Sequence, residues 1–197
     1  MQRRAREGFF YFGPMELHSC KYLKAVSTMQ LLLSTQQLKL SIKRLSHQLI
    51  ESYHSLNDVV FIGIQPRGIR VSELIVAEIS KLCPKETIHH GILDITFYRD
   101  DIREEFHVAS ETKVPFSIED KIVVLIDDVL YTGRTIRSAL DALQDFGRPK
   151  KVELCVLVNR RFNRELPIQP DYQGIAIDSV VTQKVKVEWE REEVVIY

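Results

Sequence analysis

Asp127 and Asp128 stand side by side at the end of an apolar run, Val123-Val124-Leu125-Ile126, and ahead of the stretch Val129-Leu130-Tyr131-Thr132-Gly133-Arg134-Thr135. Two adjacent acids on the end of a buried strand are costly unless a ligand or cation satisfies them. Ionised carboxylates only accept hydrogen bonds, which suits sugar hydroxyls or a hard cation such as Mg²⁺. Thr132 to Thr135 open a helix whose apolar positions Ile136, Leu140 and Leu143 recur at helical spacing. The first N–H groups of that helix, the positive end of its dipole and two threonine hydroxyls would face an anion. Gly133 lets the backbone come close. Taken singly, each of these residues is a cap in an ordinary strand-to-helix turn; together they describe a site for a phosphorylated ribose. The rival phosphate cradle, G-x-x-x-x-G-K-[ST], does not occur in the chain.

A second segment has related chemistry. Ile62-Gly63-Ile64-Gln65-Pro66-Arg67-Gly68 follows a strand and opens a helix, giving another anion nest with a cationic fork beside it. By itself it would pass for a structural turn. The segment from Arg99 to Asp120 is long, polar and without a buried pattern, which suits a lid that excludes water, with a solvated connection as the plain alternative.

The elements that must hold these loops follow from periodicity. Ser34 and Gln37 form a capping-box pair ahead of Leu38, Ile42, Leu45 and Leu49, an amphipathic first helix. Val59 to Ile64 is a buried strand, and Val71, Leu74, Ile75, Ile79 and Leu82 share one face of the helix after it. Ile88 to Tyr98 has strand character, interrupted at Gly91. The strand ending at Ile126 is followed by a helix to Phe146, a stop at Gly147 and a buried strand from Val152 to Val158. Strands alternating with helices give an α/β fold with a doubly wound parallel sheet. Val185 to Trp189 and Val194 to Ile196 add a small β-rich C-terminal portion. Residues 1–28 are expected to be a non-structural extension, with Met29 as the functional start and one domain over 29–197.

Composition narrows the class. The 197 residues include 27 basic and 27 acidic side chains, so no global field draws the molecule to nucleic acid or membrane, and any RNA site would be local. Cys20, Cys83 and Cys155 lack CxxC or His pairing and read as reduced thiols of a cytoplasmic protein. No apolar run approaches membrane-spanning length.

On the segment from Val123 to Thr135 the chain resembles the type I phosphoribosyltransferases, whose signature binds phosphoribosyl diphosphate (PRPP). Asp94 to Asp101, the Tyr131-bearing signature, Phe146-Gly147-Arg148-Pro149 and Arg164-Glu165-Leu166-Pro167-Ile168 through Asp171-Tyr172 point within that family to its uracil-using members, bacterial proteins that also regulate the pyrimidine operon by attenuation. The similarity spans about residues 29–197.

The resemblance implies the reaction uracil plus PRPP giving UMP plus pyrophosphate, with Mg²⁺ held through PRPP and by Asp127 or Asp128. Those two acids would hold the ribose hydroxyls, and Val129 to Thr135 the 5′-phosphate. Pro66, Arg67 and Gly68 become the pyrophosphate loop, with Arg99 closing from the lid. Arg160 and the backbone at Val185 would border uracil. A cis peptide is implied in the pyrophosphate loop, expected at Pro66–Arg67, where a non-prolyl cis bond costs about 3 kcal/mol. The sequence departs from the family pattern at Asn159, where relatives carry Asp. Lys43, Arg44 and His47, with Arg161 and Arg164 joining them, are the expected face for operon leader mRNA; a solvated helix face is the alternative. A homodimer or higher homo-oligomer is expected. Two other functions stay open: an RNA-binding regulator that uses the PRPP site as a nucleotide sensor, and a transferase for another nucleobase.

Overall fold

The computed structural model describes residues 29–99 and 111–197; the expected N-terminal extension, Cys20 and the middle of the expected lid lie outside them. A five-stranded sheet, β3-β2-β4-β5-β6, forms the centre, built from β2 (Val59–Ile64), β3 (His89–Leu93), β4 (Ile122–Leu130), β5 (Lys151–Arg161) and β6 (Tyr172–Asp178). Every pairing in it is parallel. A three-stranded antiparallel sheet, β1-β8-β7, is made of β1 (Gln30–Leu33), β7 (Val185–Glu188) and β8 (Glu193–Ile196).

Alternation along the central strands assigns the two faces. Val59, Phe61, Val124, Ile126, Cys155 and Leu157 pack with α1 (Thr35–Ser52), α2 (Gly68–Leu82) and the small sheet. Val60, Ile62, Val123, Leu125, Leu154 and Val156 pack on the opposite face with α3 (Arg134–Leu143). Strands buried on both sides read as unbroken apolar runs because each successive residue meets a different layer. The capping box of α1 is present in both directions, Ser34 to Gln37. Leu38, Leu45 and Leu49 are fully buried, each worth about 2 kcal/mol, so packing rather than propensity orients this helix.

Several expectations change. The strand expected over Ile88 to Tyr98 ends at Leu93, because Asp94 Oδ1 accepts from both the N–H and the hydroxyl of Thr96 and turns the chain into a 3-10 turn over Thr96–Tyr98. The first site strand runs on to Leu130, so both acids lie inside it rather than beyond its end. In α3, Ala139 and Ala142 take core positions and Leu140 is turned outward; the α-helix stops at Leu143, with a 3-10 turn up to Phe146. Leu82 is likewise exposed at the end of α2. Residues 111–120 are not a bare connection: Lys113 bridges Ile92 of β3, and Ile118 is fully buried. Two strands escaped periodicity, β1 and β6; neither presents a continuous buried run.

The order β3-β2-β4-β5-β6 sends β2 to one side through α2 and β4 to the other through α3. The chain therefore changes direction between β2 and β4, and open α/β sheets bind ligands at that switch, beyond the carboxyl ends of the strands.

Candidate active site

β4 outruns β2. Gly63 pairs with Ile126, and β2 ends one residue later at Ile64. The space beyond is taken by the loop that starts α2, and it comes very close: a Cβ on Gly68 would fall far inside contact distance of the Ile126 carbonyl oxygen and 3.0 Å from Asp127 Cα. Only glycine lets this loop lie on the strand at the acid pair. The cis bond in it is Gln65–Pro66, not the expected Pro66–Arg67. The tertiary amide of X–Pro makes the cis form far less costly there than at an ordinary peptide.

Asp127 and Asp128 are 6% and 4% exposed. Asp127 Oδ1 accepts the N–H of Asp128 at 2.8 Å, and Asp128 Oδ1 accepts that of Val129 at 2.7 Å. Burial raises the pKa of Asp127 well above the usual carboxylate value, the neighbouring Asp128 raises it further, and Arg67 pulls it down. Burial also raises Asp128, against the opposing charge of Arg67. The protonation of the pair is thus set by burial and by their coupling, against the pull of Arg67 and of the backbone N–H groups.

After β4 the chain turns at Gly133, with φ of 95°, and enters α3. A cavity of about 330 Å³ opens here, lined by residues that include Arg99, Asp127, Thr132, Gly133 and Thr135. A carboxylate and a helix start lining one cavity suit a molecule with sugar hydroxyls and a phosphate.

The loop is braced from behind by the segment following β5. Arg164 donates to the Tyr131 carbonyl, the N–H groups of Glu165 and Leu166 reach the Thr132 carbonyl at 3.0 and 3.2 Å, and Glu165 pairs with Arg134 at 2.7 Å. Ile168 and Leu166 side chains pack on Gly133. Periodicity could not reveal these contacts, since they join residues about thirty positions apart in irregular chain.

On the far side, Arg160 is buried and spread over the Tyr131 ring, 3.9 Å from its centre. Its guanidinium donates to Ser179 Oγ at 2.8 Å and to the carbonyls of Val180 and Gln183 at 3.2 and 2.9 Å. It ties the loop ahead of β7 to the loop that carries Tyr131. Just ahead of β7, Lys184 and Tyr197 exchange both main-chain hydrogen bonds, so at the next pair, Val185 and Ile196, the main-chain groups point away from each other. β7 is an edge strand, and Val185 offers its N–H and C=O outward.

The expected RNA face is only partly assembled. Lys43, Arg44 and His47 are exposed on α1, with Arg44 donating to the Gly174 carbonyl. Arg164 does not join them, since its guanidinium is engaged with the Tyr131 carbonyl, and Arg161 pairs with Asp178 at 2.7 Å.

Residues 30–192 match the phosphoribosyl transferase domain, and the chain belongs to that family. Within it, the sequence is 44% identical over 163 residues to the bifunctional protein PyrR of Haemophilus ducreyi, covering 82% of this chain and 90% of that protein. To the bifunctional protein PyrR of Latilactobacillus sakei it is 46% identical over 149 residues, covering 73% and 82%. The fold is shared with a hypoxanthine phosphoribosyltransferase of Staphylococcus aureus, with a TM-score of 0.59 at 22% identity over 77% of this chain and 79% of that one. It is also shared with the Trypanosoma cruzi hypoxanthine phosphoribosyl transferase, at 0.67 and 16%, over 85% and 90%.

Proposed function

We propose that this protein transfers the phosphoribosyl group of PRPP to uracil, giving UMP and pyrophosphate. The observation that carries the reading is the buried acid pair of β4, set between a phosphate loop and the Arg67 loop. Breaking the C1–O bond of PRPP builds positive charge on the ribose and negative charge on pyrophosphate, so positioned charges do most of the work. Asp127 and Asp128 accept hydrogen bonds from the ribose hydroxyls and favour a cationic ring. Thr132 to Thr135 hold the 5′-phosphate, while Arg67 and Arg99 take the leaving charge. Val185 reads the base through its main chain. Arg160 acts by holding the loop at residues 179–183 over the base side.

The donor set suits Mg²⁺ brought by the substrate. Among the described residues no cluster of three or more His, Cys, Asp or Glu forms a protein cage, and Mg²⁺ commonly uses one or two carboxylates plus phosphate oxygens. Asp127 and Asp128 would supply those carboxylates, and the ion would neutralise diphosphate charge.

A second role is supported by the similarity to proteins named bifunctional and by Lys43 and His47 exposed on α1: UMP-dependent binding of pyrimidine operon leader mRNA. We take the protein to work in the cytoplasm, as a homodimer or higher homo-oligomer. Among the described residues no helix is long and apolar enough to cross a membrane, and the Cys155 thiol is kept protonated by burial. Pyrophosphate release from PRPP and Mg²⁺ should be measured with uracil, orotate, hypoxanthine and adenine. Uracil alone should support it. Turnover with another base instead would reassign the substrate, and none with any base would leave the nucleotide-sensing regulator.

A further inference from the structure

The direction in which a loop offers its N–H groups is set by where its carbonyls are held, because C=O and N–H of one trans peptide point opposite ways. In the phosphate loop both carbonyls are captured from behind. Tyr131 C=O is held by Arg164, and Thr132 C=O by the backbone of Glu165 and Leu166. The N–H groups of Thr132 and Gly133 are thereby turned away from the brace, to the anion side of the loop.

Arg164 is itself aimed. Its Nη2 donates to Asn159 Oδ1 at 2.6 Å, and Asn159 Nδ2 donates to Gln173 Oε1 at 2.8 Å. Both ends of the Asn159 amide are used, so its oxygen is fixed toward the guanidinium. Asn159 is buried at 8% exposure and neutral. Among the described residues no carboxylate pairs with the fork, so it is oriented without being neutralised and its positive charge stands behind the loop.

We propose that Arg164 is the positioning residue of the phosphate subsite: it aims the N–H groups of residues 132 and 133 at a phosphate monoester and, through its neutral anchor Asn159, lends that anion an uncompensated charge. The inference rests on the ribose-phosphate reading of the cavity, but not on uracil or on turnover.

The probe is ribose 5-phosphate, titrated calorimetrically at two salt concentrations beside PRPP kinetics. Arg164→Met should weaken ribose 5-phosphate by about tenfold or more, the scale of one charge-assisted contact. The KM for PRPP should rise in parallel, with kcat little changed. Arg164→Lys, keeping charge but not the fork, should recover part of the affinity. Asn159→Asp separates this role from a structural one: pairing with Arg164 would hold or raise the melting temperature, while phosphate affinity falls and loses salt dependence. Equal ribose 5-phosphate binding by folded Arg164→Met and by wild type would overturn the proposal, as would wild-type affinity in Asn159→Asp. Should Arg164→Met not fold, the Lys and Asp variants carry the decision. A wild type that binds ribose 5-phosphate but consumes no PRPP defeats the functional reading alone; one that binds neither defeats both.

Discussion

At Asp127, burial opposes ionisation and the charge of Asp128 adds to that opposition, while Arg67 works the other way. The folded pKa lies well above the reference of 3.8. Between the unfolded and folded values the native state binds more protons, so stability without ligand is greatest below the unfolded value and falls as pH rises through the folded one. Asp127→Asn keeps the oxygen that accepts the Asp128 N–H and removes the buried charge. It should raise the melting temperature at neutral pH and flatten that decline, measured by thermal unfolding across a pH series. The same variant should lower PRPP-dependent UMP formation by about a hundredfold or more, the scale of one lost preorganised electrostatic contact. A lower melting temperature at neutral pH would contradict this account of the site.

Two elements depend on single residues for their placement. The start of α2 can lie on β4 only while Gly68 lacks a Cβ, because both obstacles, the Ile126 carbonyl and Asp127 Cα, are backbone. Gly68→Ala should displace the Arg67 loop, costing about 1–3 kcal/mol of stability and at least about tenfold in kcat/KM for PRPP. Steady-state kinetics beside urea unfolding would detect both. At the opposite edge of the sheet, the hydroxyls of Tyr53, at the end of α1, and Tyr172, in β6, converge on Glu153 of β5, which also pairs with Lys151. Burial works to raise the Glu153 pKa, but Lys151 and the two tyrosines outweigh it and bring it below the usual value. This carboxylate contributes stability at neutral pH that is lost as pH falls through its folded pKa. Glu153→Gln should destabilise by about 1–3 kcal/mol at neutral pH, less in acid, with PRPP kinetics preserved.

For the molecule as a whole, a net charge of zero means that RNA affinity has to come from a local group of side chains. Arg44 is tied to β6 and Arg164 to the Tyr131 carbonyl, which leaves Lys43 and His47 as the variants that test RNA without loosening the fold. Lys43→Ala with His47→Ala should weaken binding to the native leader RNA and flatten its salt dependence, with uracil turnover retained. Gel-shift titration at two salt concentrations reads this directly, and affinity equal to that for a scrambled RNA in the unmutated protein would remove the regulatory role.

What the sequence determined by itself was local. Val59 to Ile64 and Val123 to Ile126 announce buried strands because both their faces are covered, Ser34 and Gln37 announce a helix start because they satisfy each other within one turn, and the residues from Asp127 to Thr135 read as a candidate site because they fall within one strand-loop-helix unit. Contacts across the sequence were decided only in three dimensions. Arg164 looked like a surface cation until the fold set it behind Tyr131, and Arg160 was fixed by Ser179 and Gln183 rather than by its own strand. Strands β1 and β6 carry mixed burial that has no period of its own, and they become strands because β8 and β5 present unpaired edges to them. Spacing along a chain encodes which face of an element is apolar, but which loop braces another depends on the order of strands in the sheet, and that order exists only once the sheet has formed.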